Sequence, residues 1–191
     1  IDILVNNAGI LRDKTFSKMT LDDFRAVVDV HLMGSVTCTK AVWEIMREQA
    51  YGRIVMTTSS SGLYGNFGQS NYGAAKLALV GLMNTLHLEG AKYNIRVNSL
   101  SPVAATRMTE GLMPEEAFAA LKPELVSEGL VTLVHEDAPS RMILCAGAGG
   151  FARSNIFETK GIGLDEADVT AEHLMAQMAD INDEEGHEAY T

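Results

Sequence analysis

Three short apolar runs alternate with long stretches of helical periodicity, and this alternation limits the chain to very few folds. The runs are Asp2-Ile-Leu-Val-Asn-Asn-Ala-Gly9, Arg53-Ile-Val-Met-Thr-Thr58 and Asn94-Ile-Arg-Val-Asn-Ser-Leu-Ser-Pro102. Each is too short for a stable helix; the first ends in Asn6-Asn-Ala-Gly9, the second at Ser59 and the third in Pro102, so each reads as a strand. Thr20-Leu-Asp-Asp23 is a helix-capping signal. From it Phe24, Val27, Val28, His31 and Leu32 recur at helical spacing, which predicts a helix running toward Met46. Gly52 then opens the second strand. The glycine-rich loop Ser61-Gly-Leu-Tyr-Gly-Asn-Phe-Gly68 leads to a second long helix from about Ser70 to Tyr93. Apolar strands separated by long helices predict an α/β fold, a parallel sheet covered on both faces.

After Pro102 the pattern continues differently. Met108, Leu112, Met113, Phe118 and Leu121 predict a mobile helical cover over residues 103–122. A further helix is expected over 123–134 and the last core strand over 141–146. Gly147, Gly149 and Gly150 follow that strand, with no strand–helix context that would make them a phosphate loop.

The net charge of −10 is unevenly spread. All fifteen Lys and Arg and sixteen acids lie in residues 1–160, a net −1, whereas residues 161–191 hold nine acids and no Lys or Arg. We therefore divide the chain into a body, 1–160, and an acidic C-terminal extension, 161–191. Leu174, Met175, Met178 and Ile181 fall on one face of that extension, and an apolar stripe at such charge density needs a hydrophobic partner. The expectation is a helix docked near the substrate entrance; the alternative is a loose solubilising tail. No basic cluster favours nucleic acid or an anionic membrane, and no apolar run reaches membrane-span length. Cys38 and Cys145 lack metal or redox spacing and read as reduced thiols of a cytoplasmic protein.

The chemistry concentrates at Tyr72 and Lys76, thirteen and seventeen residues after Ser59. The i, i+4 spacing puts phenol and ammonium on one helix face, about 5–6 Å apart at Cβ. A cation there favours phenolate and draws the phenol's pKa toward the range of a general base. Ser59 closes the second strand, so a strand end, a loop and a helix bring hydroxyl, phenol and ammonium together. That trio suits proton transfer at a carbinol oxygen. A nucleophilic serine hydrolase is the rival, but no serine here stands in a Gly-x-Ser-x-Gly setting.

Asn6-Asn-Ala-Gly9, Ser59-x12-Tyr72-x3-Lys76 and Arg96-Val-Asn-Ser-Leu-Ser-Pro102, in this order, resemble the classical short-chain dehydrogenases/reductases. The resemblance implies a Rossmann-like doubly wound sheet and an NAD- or NADP-dependent interconversion of a secondary alcohol and a ketone. It implies Tyr72 as acid/base, Lys76 as pKa tuner and ribose ligand, and Ser59 as the donor that orients the substrate carbonyl. Asn6, Ala8, Gly9, Pro102 and Thr106 would contact the cofactor, with Tyr72 and Lys76. In Pro102-Val-Ala-Ala-Thr106 the usual Gly is Val103 and the Thr comes one residue early. His31 stands where the family carries a catalytic Asn; it either holds a proton-relay water or packs the helix in place. The two long helices imply a homodimer or homotetramer.

Val30-His-Leu-Met-Gly34, Tyr51-Gly-Arg-Ile-Val-Met56, Gly62-Leu-Tyr-Gly-Asn-Phe-Gly-Gln69, Arg107-Met-Thr109 and the tail Val169-Thr-Ala-Glu-His-Leu-Met175 resemble one branch of the family. It holds the (3R)-hydroxyacyl-CoA dehydrogenase unit of the type 2 peroxisomal multifunctional enzymes and bacterial relatives. The implied substrates are 3-hydroxyacyl and 3-oxoacyl thioesters; the alternative is a 3-oxoacyl-[acyl carrier protein] reductase or hydroxysteroid-type dehydrogenase. A peroxisomal location follows only for a eukaryotic multifunctional enzyme. Family members begin with a glycine-rich strand–turn–helix that cradles the cofactor pyrophosphate. None precedes Ile1, so the chain is expected to be the later part of an enzyme with roughly 80–90 further residues. By itself it is then expected to be a catalytically silent piece that associates through its helices.

Overall fold

The computed structural model describes all residues except 107, 108, 110, 112, 113, 190 and 191. The chain divides into two compact units, Ile1–Ser154 and Asn155–Thr191.

The first unit is a five-stranded sheet in the order β1-β2-β3-β4-β5. Strands β1 (Ile3–Asn6), β2 (Gly52–Thr57), β3 (Ile95–Val103) and β4 (Ile143–Gly147) are parallel, and β5 (Gly150–Ser154) returns antiparallel to β4. The register aligns Val5 with Val55, Val55 with Asn98 and Leu100 with Leu144. Successive side chains of a strand face opposite sides, and both sides are occupied. On one face Ile54, Met56 and Val97 pack with Trp43, Met46, Leu79, Val80 and Met83. On the other, Val55, Leu100 and Leu144 pack with Val126 and Leu133. This two-sided burial explains why β2 is buried throughout and why Ile54, Val55 and Met56 run apolar without alternation. The mainly parallel Rossmann-like sheet matches the expectation.

The helices on the first face are α1 (Leu21–Val28), α2 (Gly34–Glu48) and α4 (Ser70–Gly90). The short α3 (Ser60–Tyr64) precedes α4, and a 3-10 turn over Ala91–Tyr93 ends it. Thr20 caps α1 as predicted, accepting a hydrogen bond from the Asp23 amide at 3.1 Å. The helix expected from Thr20 toward Met46 is present, but a π-turn at Asp29–Met33 interrupts it. The Ser35 hydroxyl, at the start of α2, donates back to the His31 carbonyl inside that turn at 2.6 Å.

Residues 103–122 form less helix than the sequence predicts. β3 continues to Val103, and the helix α5 covers only Glu115–Ala120. Of the apolar residues expected in this cover, Met108, Leu112 and Met113 lie outside the described residues. The Ala105 amide donates to the Leu121 carbonyl at 2.6 Å and closes the base of the segment. Helix α6 (Pro123–Val134) then covers the second face of the sheet. Gly147, Gly149 and Gly150 belong to the β4–β5 hairpin, which sequence reading missed. Its two central residues, Ala148 and Gly149, both have positive φ, 49° and 78°, the conformation of the tight turns that fit twisted hairpins.

Arg53 is a charged residue in the core, 1% exposed. Its guanidinium donates to four backbone carbonyls, those of Gly52 (2.8 Å), Asn94 (2.9 Å), His135 (3.1 Å) and Glu136 (2.7 Å). It also lies 4.2 Å from the Tyr51 ring centroid. The side chain thereby ties the start of β2 to the end of α6, and burial pushes its pKa down.

The second unit is small and mostly exposed. β6 (Phe157–Glu158) pairs antiparallel with β7 (Glu188–Ala189), and a 3-10 turn lies at Glu166–Asp168. The helix predicted for the extension is two shorter ones, α7 (Ala171–Ala176) and α8 (Met178–Ile181), broken at Gln177. Thr170 caps α7 through the His173 amide, and the Thr159 hydroxyl donates to the Ile181 carbonyl at 2.7 Å.

Candidate active site

The parallel strands β1, β2 and β3 all end at one edge of the sheet, and a cleft of about 500 Å³ opens there. This is where open α/β sheets hold ligands, because the chain leaves successive strand ends in different directions. His31, Ser59, Tyr72, Lys76, Gly9, Pro102 and Thr106 all line this cleft. Residues far apart in sequence therefore converge as the motif spacing predicted.

Ser59 has the extended backbone of a helix cap, and its hydroxyl accepts from the Ser61 amide at 3.2 Å. It stands close enough to the Tyr72 phenol to lower the phenol's pKa. Lys76, one helical turn beyond Tyr72, is 3% exposed. Its ammonium donates to the Thr57 carbonyl at 2.6 Å and lies 5.4 Å from the Tyr72 ring centroid. The Thr58 hydroxyl donates to the Lys76 carbonyl at 2.7 Å, so the end of β2 clasps α4 at the reactive turn.

The electrostatics differ from the expectation. The Tyr72 phenol is held above its ordinary pKa, first by burial and then by the charge of Asp13, with the Ser59 hydrogen bond opposing. Burial pushes Lys76 down to about 8. Spacing alone suggested that Lys76 would favour phenolate. Instead both groups have left water, and desolvation disfavours each charged form. The phenol is thus a protonated acid, and the ammonium's charge can be lost close to neutrality.

His31 sits in the middle of the π-turn, 1% exposed. Its ring stands edge-on to Tyr72, with centroids 5.1 Å apart. Nε2 is engaged by the Ile10 backbone, 3.1 Å from its nitrogen and 2.8 Å from its oxygen, while Nδ1 is buried without a partner. Burial lowers the imidazole pKa, the Ile10 hydrogen bond opposes this, and the Lys76 charge adds to it. The ring explains Gly9: a Cβ there would lie 2.5 Å from His31 Cε1. The glycine makes room for the histidine, a reason distinct from cofactor approach.

Two residues assigned by resemblance lie elsewhere. Asn6 is buried and donates to Thr39 Oγ1 at 3.1 Å and to Met56 Sδ at 3.3 Å. Its neighbour Asn7 lines the cleft and accepts from the Thr57 hydroxyl at 3.2 Å. Ala8 is exposed and outside the cleft lining. Sequence reading also missed a polar strap on the cleft wall. Gln69 donates to Asp13 at 2.7 Å and accepts from Ser61 at 2.8 Å and Asn66 at 3.0 Å. The Asn71 side chain donates to the Arg12 carbonyl at 3.0 Å, and the Lys14 amide to the Gly68 carbonyl at 2.9 Å. The polar residues flanking Tyr72 were the available signal. Among the described residues no group of His, Cys, Asp and Glu could hold a metal, and no helix is long and apolar enough to cross a membrane.

Comparison with known proteins agrees with this architecture. The family model for short chain dehydrogenases matches residues 1–117. A short-chain type dehydrogenase/reductase of Mycobacterium tuberculosis is 48% identical over 184 residues, covering 96% of this chain and 64% of that protein. Peroxisomal multifunctional enzyme type 2 of Drosophila melanogaster is 44% identical over 189 residues, covering 96% of this chain and 31% of its own length. The solved structure of that full-length enzyme superposes with a TM-score of 0.88 at 40% identity, over 96% of this chain and 34% of the enzyme. An acetoacetyl-CoA reductase of Acinetobacter is 37% identical over 162 residues, covering 84% of this chain and 64% of the reductase. The chain thus spans from about a third to just under two thirds of the length of these relatives. With the family model matched over more than half its length and the strand-end cleft in place, the chain belongs to the short-chain dehydrogenase family.

Proposed function

We propose that this chain carries the catalytic centre of an NAD- or NADP-dependent oxidoreductase that interconverts 3-hydroxyacyl and 3-oxoacyl thioesters. The observation that carries the reading is the convergence of Ser59, Tyr72 and buried Lys76 in one cleft. The names of relatives, an acetoacetyl-CoA reductase among them, support the thioester class.

In the reductive direction the protonated Tyr72 phenol gives its proton to the carbonyl oxygen, and the Ser59 hydroxyl donates a hydrogen bond that orients it. In the oxidative direction Tyr72 takes the carbinol proton, and the nearby ammonium stabilises the phenolate. When bound, the nicotinamide cofactor supplies or accepts the hydride. The residues present fit such a group. One of the three N–H bonds of Lys76 serves the Thr57 carbonyl, its one hydrogen-bond partner among the described residues. The others suit ribose hydroxyls, with Asn7, Gly9, Pro102 and Thr106 on the same cleft wall.

The test is a steady-state assay of the full-length protein with 3-hydroxyacyl-CoA substrates and either nucleotide, following formation of reduced nicotinamide. Turnover is expected with at least one nucleotide. A protein that binds nucleotide yet turns over no acyl thioester in either direction would sink the reading.

His31 has a place in the same scheme. Its unpartnered Nδ1 and its edge contact with Tyr72 support a role in passing the Tyr72 proton toward solvent through water. His31→Phe keeps an aromatic ring beside Gly9 but removes both nitrogens. It is expected to lower kcat by at least about tenfold, a modest share of what a positioned acid–base group contributes. An unchanged kcat would leave His31 with packing alone.

A further inference from the structure

The strap across the cleft wall contains an amide whose orientation is fixed by its neighbours. Ordinarily the two ends of a glutamine amide cannot be told apart except by their partners. Here Asp13 decides. Its carboxylate accepts only, so the Gln69 atom 2.7 Å from it is the nitrogen. The other end, the oxygen, then accepts twice, from the Ser61 hydroxyl at 2.8 Å and the Asn66 amide at 3.0 Å. A primary amide offers two acceptor sites and two donors. Both acceptor sites are filled and one donor is used. The group left over is a single N–H on a half-buried residue that lines the cleft beside Ser59 and Tyr72.

The strap itself is anchored. Asp13 lies on the segment before α1, which is fastened to the segment before α4 by the Lys14–Gly68 hydrogen bond and to the first turn of α4 by the Asn71–Arg12 one. The Gln69 carbonyl in turn accepts from the Gly73 amide at 2.7 Å, at the first turn of the helix that carries Tyr72. The spare donor is therefore held in a fixed relation to the proton-transferring phenol.

We infer that Gln69 is a specificity-determining residue: its amide, oriented by Asp13, donates its remaining N–H to the thioester carbonyl of a 3-oxoacyl substrate. Such a substrate has two acceptors separated by one carbon, a ketone that reacts and a thioester carbonyl that does not. The first belongs to Ser59 and Tyr72. A plain ketone has no group for the second donor. This inference rests on the thioester reading above. Asp13 acts through Gln69 and is a positioning residue.

The experiment compares two probes in the full-length protein: a 3-oxoacyl-CoA and the matching 3-oxoalkyl-CoA thioether, in which a methylene replaces the thioester carbonyl. The readout is the ratio of kcat/KM for thioester over thioether. Gln69→Met removes the donor at similar volume and is expected to lower that ratio roughly ten- to hundredfold, the range for losing a hydrogen bond to a desolvated carbonyl. Asp13→Ala should lower it by a smaller factor, and Asp13→Asn, which can still accept from Gln69, should restore it. The Asp13 series stands should Gln69→Met fail to fold. A high wild-type ratio that survives in Gln69→Met and Asp13→Ala overturns the Gln69 assignment alone. A wild-type ratio near one overturns the thioester reading together with it.

Discussion

Tyr72→Phe in the full-length protein is expected to lower kcat by roughly 10²- to 10⁴-fold, the contribution of a positioned acid–base group, with little change in the fold. The substitution removes one oxygen from a half-buried residue. The ring keeps its edge contact with His31 and its place beside the Lys76 ammonium, whose hydrogen bond to the Thr57 carbonyl does not involve the phenol. What disappears is the proton held ready above its ordinary pKa and the phenol's interaction with Ser59. Circular dichroism and the thermal midpoint should stay close to wild type while turnover collapses. A variant that keeps more than about a tenth of the wild-type rate would show that another group moves the proton.

The largest effect on stability is expected at Arg53. Arg53→Met retains most of the apolar stem and none of the hydrogen bonds. Four carbonyls lose the guanidinium. Those of Asn94 and His135 keep backbone amides, from Gly52 and Ala138, and Glu136 is exposed, so part of the loss is made up by other partners and by water. Each buried carbonyl left unpaired costs about 1–3 kcal/mol. Relief from burying a charge offsets part of this, leaving a net loss of about 2–3 kcal/mol. For a domain of this size that is a fall of roughly 4–12 °C in the thermal midpoint. Differential scanning calorimetry of wild type and variant decides it; a shift below about 2 °C would mean that water replaces the guanidinium.

The parts of this molecule legible from sequence are those governed by local periodicity. Apolar runs at β1, β2 and β3 gave the sheet, and the i, i+4 spacing put Tyr72 and Lys76 on one turn of α4. Thr20 announced a helix start because capping is a contact over three residues. Features that depend on tertiary surroundings were not legible. The direction of the Tyr72 pKa is set by burial, which spacing does not report. Asn6 and Asn7 are adjacent, but neighbours at a strand end point opposite ways, so one enters the core and the other the cleft. Arg53 read as an ordinary strand residue because its acceptors come from four separate positions, two of them more than eighty residues away. Gln69 needed Asp13, fifty-six residues earlier, before its amide acquired a direction.

The π-turn at Asp29–Met33 is the one place in the segment 21–48 where the residue count can change at small cost. Each residue advances an α-helix by about 100°, but such a turn takes up one residue beyond the α-helical count locally, so the helices on either side keep their faces. Deleting a single residue from 29–33 would let a regular helix form and leave Ser35, Thr39, Trp43 and Met46 on the buried side of α2, with Trp43 and Met46 still in the core they share with Ile54 and Met56. What the deletion would disturb is local, the seat of His31 in the cleft wall. The turn therefore acts as an expansion joint, and a gap in an alignment of this segment with relatives should fall at 29–33.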